Sequence, residues 1–326
     1  MDKFYNFDGC RTSLKEFGGS DTKESIFYNG DRYMIKFNDI IPEDKRNEFT
    51  STSRNNAFSE YISCHIFDLF GIPVQETFLG EKNGHIVVAC KDFCVNGYGI
   101  NEFEKNSSKA GIDFKNIRYP AIEDVLSFIR KDTRVNPLEN EKRFWDTFVM
   151  DSLLANFDRH TGNWGYIFND DKQDIRLAPV YDCGACLYPM VADSGMKPII
   201  VSEKEINTRI YVYPKAAFTY KNEKISYHVF MTNPDVLNEY SLLKNSIEEI
   251  MEKYDRASIN DIIENTPKLS EIRTIFYETM IRERFEKILE PAYKTTRNIS
   301  IGSSQANVDR KVTEAIPESY NRISHR

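Results

Sequence analysis

The sequence predicts an α+β fold in two lobes, a small β-rich N-terminal lobe and a larger helical C-terminal lobe. Three observations predict it. The chain has 326 residues, more than the ~250–300 at which a single core usually stops growing. Its first hundred residues alternate strand-like and helical patterns. From residue 121 on, helical periodicity dominates. The expected organisation is an N-lobe over 1–100, a helical C-lobe over 101–294 and a polar, aperiodic, mobile tail over 295–326.

Residues 1–24 read as a loop that contains Gly18-Gly19-Ser20. In SIFYNGDRYMIKF two β-rich runs flank Asn29-Gly30, a two-residue hairpin signal because both central residues must take positive φ. Tyr33, Ile35 and Phe37 alternate with Met34 and Lys36, which a strand sends to opposite faces. Over 56–70, Phe58, Ile62, Ile66 and Leu69 form a helical stripe that Gly71 and Pro73 terminate. Glu60 falls on the far side of that helix from the stripe. A second hairpin is expected across Asn83-Gly84.

ENEKRFWDTFVMDSLLANF reads as a long, largely apolar helix for the middle of the C-lobe. A further hairpin turns at Asn169-Asp170-Asp171, and amphipathic helices fill 239–293. No internal repeat is visible.

The net charge is −7, a poor match for nucleic acid, whose binding draws on clustered Lys and Arg. No nucleic-acid partner is expected. MDKFYNFDGCRT lacks the apolar core of a secretory signal, and no run of ~18 apolar residues exists to span a membrane. Six cysteines in a chain this long read as reduced thiols of a soluble, cytoplasmic-type protein.

The segment that carries chemistry is Asn156-Phe157-Asp158-Arg159-His160-Thr161-Gly162-Asn163, followed by Val180-Tyr181-Asp182-Cys183-Gly184. Phosphoryl transfer needs a base that orients the acceptor hydroxyl and hard oxygen ligands for Mg²⁺. Asp158 fits the base, and Asn163 and Asp182 fit the ligands. His160, inside the same run, is grouped with the catalytic residues. An Asp or Asn beside a turn is ordinarily a turn former or cap. It is the ordered combination, D-R-H-x-x-N with a D-x-G at hairpin distance, that is specific.

Lys36 closes the strand run Tyr33-Met34-Ile35-Lys36, which parallels the V-A-I-K pattern of kinases. It is expected to reach the α/β-phosphates of ATP, with Glu60 holding it. The alternative is that both are solvated charges. Gly18, Gly19 and Ser20 stand where a phosphate-covering loop would, although they match neither G-x-G-x-x-G nor a P-loop. Their backbone amides would cradle phosphate, and a plain flexible loop is the alternative. Cys183 and Cys186 form C-x-x-C, and Cys90 and Cys94 lie near each other. A zinc or redox role is the rival reading, and buried packing is the default.

These residues resemble the HipA-like kinases, distant relatives of protein kinases and phosphatidylinositol kinases. The similarity runs from the Gly18–Lys36 region through Ser59-Glu60-Tyr61 and Phe93 to Asp158–Asp182. The resemblance implies a protein-kinase-like fold, Ser/Thr protein kinase activity with ATP and Mg²⁺, and protein substrates. It assigns Asp158 as base, Asn163 and Asp182 as metal ligands, Lys36 as the phosphate-binding lysine and Glu60 as its partner. It also makes the backbone around Lys91, Asp92 and Phe93 the adenine-receiving hinge. Met34 departs from the small residue common above adenine in protein kinases. Full-length HipA toxins carry a further N-terminal domain, so the short run before the glycine pair argues against their antitoxin- and DNA-linked roles. The size and motif set are nearest to a compact, cell-translocating, pro-inflammatory type of the family, which implies secretion and action in host cells. Family behaviour also implies autophosphorylation near the glycine loop, where Ser13, Ser20, Thr22 and Ser25 lie.

Two other functions are compatible with the motif. Phosphatidylinositol-type lipid kinases share D-R-H-x-x-N, but no basic amphipathic helix for membrane docking is evident here. A non-catalytic binding protein with a decayed kinase fold is disfavoured by retention of every charged site position. Acceptor, phosphosite, regulation and oligomeric state are not encoded legibly.

Overall fold

The computed structural model describes residues 3–15, 23–38, 40–47, 49–52, 54–109 and 111–301. Gly18, Gly19 and Ser20 therefore lie outside the described residues.

In chain order the N-terminal part holds β1 (Tyr5–Asn6), β2 (Lys23–Tyr28), β3 (Asp31–Phe37), α1 (Asn56–Leu69), β4 (Thr77–Lys82) and β5 (His85–Lys91). They form a five-stranded sheet in the order β1-β4-β5-β3-β2. The β2–β3 and β4–β5 hairpins turn at Asn29-Gly30 (φ 50° and 90°) and Asn83-Gly84 (φ 52° and 75°). These are the paired positive φ values that two-residue hairpins require. The strand alternation holds. Tyr33 and Ile35 enter a small cluster with Phe7, Ile26, Val87 and Ala89 on one face of the sheet. Lys36 and Met34 take the other face, towards α1 and the cleft.

The reading of 1–24 as loop needs correction. Tyr5–Asn6 pairs in parallel with Gly80 and Glu81, Phe7 is fully buried, and Thr12 bridges Ile26. Gly80 permits this approach, since a Cβ there would meet the Tyr5 carbonyl oxygen at 2.4 Å.

The chain continues through β6 (Gly99–Glu102), α2 (Phe103–Lys109), α3 (Ile122–Lys131) and α4 (Pro137–Leu153). Asn136 caps α4, accepting from the Leu138 and Glu139 amides, and Pro137 occupies its first turn. Phe144, Trp145, Phe148 and Val149 bury α4 in the large core. Then come β7 (Gly165–Asn169) and β8 (Asp174–Leu177), which join β6 in a three-stranded sheet of order β6-β7-β8. Mainly helical chain completes this lobe, including α5 (Asp193–Ile200), a π-turn over Thr208–Val212 and a long helix from Glu271 to Arg284. Helical structure runs on to residue 301 with Ala292 and Thr296 fully buried, so 295–301, expected in the tail, belong to the last helix. Among the described residues, no helix is long and apolar enough to cross a membrane.

Candidate active site

Between the sheet with α1 and the helical part lies a cleft of about 600 Å³, within the ~300–1,000 Å³ range of small-ligand sites. Lys36, Glu60, Asp92, Phe93, Asp158, His160, Asn163 and Asp182 all line it. The sequence separates these residues widely, and the fold collects them.

Lys36 comes from β3 and Glu60 from the second turn of α1. Lys36 Nζ donates to Glu60 Oε2 at 2.9 Å and to Asp182 Oδ1 at 2.8 Å. Lys36 and Glu60 are 4% and 0% exposed, so neither is the solvated charge of the alternative reading. Burial works to lower the Lys36 pKa, but the Asp182 and Glu60 carboxylates outweigh it and hold the ammonium well above its ordinary value. Burial likewise works to raise Asp182, yet Lys36 overcomes it and keeps that carboxyl at about 2. Burial raises the Glu60 carboxyl, with Lys36 opposing. The other Glu60 oxygen accepts the Cys183 amide at 3.0 Å, which ties α1 directly to the segment carrying Asp182. That segment passes so close that a Cβ on Gly184 would lie 3.2 Å from Glu60 Oε2. Asp182 itself takes a left-handed backbone, φ 59°, a conformation that Asp tolerates better than most residues and that clusters at functional sites.

The segment carrying Asp158 leaves the C-terminus of α4. Asp151, in the last turn, is 1% exposed and accepts from Arg159 Nε at 3.0 Å, Arg159 Nη2 at 3.2 Å and Asn156 Nδ2 at 2.9 Å. The Asn156 side chain accepts the Asp158 amide at 2.9 Å, and Asn163 Nδ2 donates to the Asp158 carbonyl at 2.8 Å. Arg159 Nη1 donates to the Asn163 carbonyl at 3.1 Å and also to the Tyr181 carbonyl. One buried guanidinium thus connects the loop of Asp158 to the loop of Asp182. Sequence reasoning missed the roles of Asp151 and Arg159. The available signal was a charged residue on the apolar helix, just before the motif.

Asp158 lines the cleft, and the residue as a whole is exposed. Burial by the cleft walls raises its pKa, with His160 lowering it, Asp182 raising it and Arg54 lowering it in turn. His160 Nδ1 accepts the Gly162 amide at 3.0 Å, which leaves Nε2 as the remaining ring nitrogen of His160.

Of the three residues expected at the hinge, only Asp92 and Phe93 line the cleft. Lys91 does not line the cleft. Its ammonium pairs on the opposite face with Asp31 at 3.0 Å and Glu76 at 3.2 Å. Its amide donates to Glu76 O at 2.9 Å and its carbonyl accepts Gln75 Nε2 at 2.9 Å. The Asp92 amide is taken by Arg32 O at 2.9 Å, and the buried Asp92 carboxylate holds Lys15 and Arg32, each at 2.7 Å. Among the described residues the Phe93 amide has no hydrogen-bond partner. The Phe93 ring lies 5.9 Å from that of Tyr181 on the cleft wall.

All six cysteines are free. Among the described residues the thiols that converge with a carboxylate are Cys64 and Cys183, beside Glu60, while Cys183 also meets Cys186, its C-x-x-C partner. Glu60 is already engaged by Lys36 and the Cys183 amide, and Cys183 Sγ accepts from Arg159 at 3.4 Å, so the group reads as packing beneath the site.

Comparison with known proteins places the chain in a family. The chain is 38% identical over 314 residues to the serine/threonine-protein kinase CtkA of Helicobacter pylori, covering 93% of this chain and 91% of that one. The crystal structure described as a Helicobacter pylori proinflammatory kinase CtkA superposes with a TM-score of 0.82 at 35% identity, over 91% of this chain and 99% of that one. HipA of Shewanella oneidensis, solved with HipB and operator DNA, shares the fold at a TM-score of 0.52 and 12% identity, over 86% of this chain and 68% of that one. The family model for the HipA-like C-terminal domain matches residues 16–262. The two-lobed architecture is a protein-kinase-like fold, and the chain belongs to the HipA-like C-terminal domain family.

Proposed function

We propose that this chain, a kinase of the serine/threonine class, transfers the γ-phosphate of ATP to hydroxyl groups of protein substrates with the help of Mg²⁺. The observation that carries the reading is the convergence of Asp158, Asn163 and Asp182 with the Lys36–Glu60 pair in one cleft. Asp158, exposed there, orients the acceptor hydroxyl and takes its proton. Lys36, fixed by Glu60, offers a positive charge to phosphate oxygens. The unpartnered Phe93 amide is the donor for adenine. Gly18, Gly19 and Ser20 keep their reading as a phosphate-covering loop.

The donor set also suits the metal. Asp182 stays anionic down to about pH 2. Asn163 commits its Nδ2 to the Asp158 carbonyl, which leaves its Oδ1 free for a cation. Both are hard oxygen donors of the kind Mg²⁺ prefers. Bound there, Mg²⁺ would neutralise charge that develops on the phosphates.

Autophosphorylation is part of the same reading. Of the hydroxyls near the glycine pair, Ser25 is buried and Ser13 half-buried, and Ser20 and Thr22 lie outside the described residues. Kinship with a relative described as proinflammatory supports delivery to host cells, tested by blotting culture supernatant and infected-cell lysate. For the activity itself, the full chain is given radiolabelled ATP and Mg²⁺ with generic protein substrates and, separately, phosphoinositide vesicles, followed by mass spectrometry of the enzyme. Label on protein is expected. Label confined to lipid, with no phosphate on the enzyme, would replace this reading by a lipid-kinase one.

A further inference from the structure

The acceptor side of the cleft holds a cation whose role neither the family motif nor the site geometry has so far explained. Arg54 precedes α1 and lines the same cleft as Phe157, Asp158 and Pro189. It is half-buried and makes no hydrogen bond or salt bridge among the described residues. Its position is nonetheless fixed by its neighbours. The Asn55 amide donates to Pro189 O at 2.8 Å, the Ser51 amide to Met190 O at 2.9 Å, and Thr50 bridges Val191. Residues on either side of Arg54 are therefore tied to the segment that follows Asp182.

Beside Asp158 in the chain stands an aromatic residue, Phe157, that also lines the cleft. The Phe157 ring lies 6.0 Å from Tyr213, which ends the π-turn and is 44% exposed, and neighbouring Val212 is 61% exposed. The Arg54 charge acts on both Asp158 and Tyr213. The guanidinium is half-buried and donates no hydrogen bond among the described residues, so its donors can pair with an incoming carboxylate. Lys36 already supplies the positive charge at the phosphate end, held there by Glu60 and Asp182. The anion that suits Arg54 is thus one brought by the acceptor, alongside the hydroxyl that reaches Asp158.

We infer that Arg54 is a specificity-determining residue that selects acceptor segments with an acidic side chain next to the phosphorylated hydroxyl, seated against Phe157 and Tyr213. The inference rests on the kinase reading above, and its test separates the two. Ser-centred peptides carrying Asp, Ala or Lys on both flanks are offered to the full chain with Mg²⁺–ATP. Their non-phosphorylatable counterparts, with Ala at the centre, are used in a binding assay by fluorescence anisotropy.

The wild-type chain should favour Asp over Lys flanks by about five- to tenfold in kcat/KM, expressed mainly in KM, and by a similar factor in binding. Arg54→Ala should compress that ratio towards one, and Arg54→Glu should invert it. A flank preference in binding without any phosphotransfer would sink the kinase reading and leave Arg54 as a ligand-selecting residue. Phosphotransfer with no flank preference, or with a preference that Arg54→Glu leaves in place, would overturn the inference. So would an equal fall in kcat on every peptide, which would assign Arg54 to the phosphoryl group instead.

Discussion

Lys36 Nζ sits between two carboxylates contributed by different parts of the fold, 2.9 Å from Glu60 Oε2 and 2.8 Å from Asp182 Oδ1. The arrangement joins strand β3, helix α1 and the metal-ligand candidate in one electrostatic unit. Its two buried members are not equivalent. Lys36→Met strands Glu60, fully buried, without a counter-charge, whereas Glu60→Gln leaves Lys36 paired to Asp182. Removing one partner of a buried pair costs ~3–5 kcal/mol. Lys36→Met should lose about that much in denaturant unfolding, and Glu60→Gln distinctly less. Equal losses would show that the pair does not hold Glu60 ionised.

Asp158 has a different task. The residue is exposed as a whole and carries no salt bridge among the described residues, so its loss should not weaken the fold. Asp158→Asn keeps the shape and removes the proton acceptor. A positioned general base contributes ~10²–10⁴-fold in rate. Phosphotransfer should fall by that order while the melting temperature stays within a degree or two of wild type. Activity within a few-fold of wild type would remove Asp158 from the role of base.

Much of the N-lobe was legible because its signals are local. Asn29-Gly30 and Asn83-Gly84 declare their turns through the positive φ they accommodate. The stripe of Phe58, Ile62 and Ile66 declares α1. The parts that failed depend on distant partners. A two-residue parallel strand at Tyr5–Asn6 has no local signature, since its partner is Gly80. The buried Asp151–Arg159 pair is formed by tertiary packing, and only its charge on an apolar helix hinted at it. Residues 295–301 looked polar, yet Thr296 is covered by the fold. The face taken by the Lys91 side chain follows from register. Lys91 pairs with Tyr33, whereas Val88 and Cys90 pair with Lys36 and Met34. Paired residues share a face, so parity alone puts Lys91 opposite the cleft.

Metal dependence should separate the two ligand candidates from Asp158. Asp182→Asn and Asn163→Ala each remove one oxygen ligand from a site with few of them. ATP raises the melting temperature of any protein that binds it in the folded state, by mass action. In wild type this rise should be larger with Mg²⁺ than with a chelator. Both variants should lose the Mg²⁺-dependent part and Asp158→Asn should keep it. A wild-type shift in Asp182→Asn would end its assignment as a ligand.

The two aspartates should also part company with pH. The Asp182 carboxyl is held at about 2, below its ordinary 3.8. A depressed acid stabilises the fold above its unfolded pKa and loses that contribution as pH falls through the folded value, here between roughly pH 4 and 2. Partial solvent access of Asp182 keeps the contribution to about 1–2 kcal/mol. Asp158 is shifted the other way, above its ordinary 3.8, chiefly by burial. It must be ionised to accept a proton, so the acid limb of kcat/KM should fall through an apparent pKa above 3.8, while the fold still retains the Asp182 contribution. His160 opposes that upward shift, so His160→Gln should move the limb to higher pH. A pH–rate profile set beside acid unfolding of the same samples checks both. An acid limb that coincides with unfolding, or that moves down in His160→Gln, would contradict the assignment of Asp158 as the titrating base.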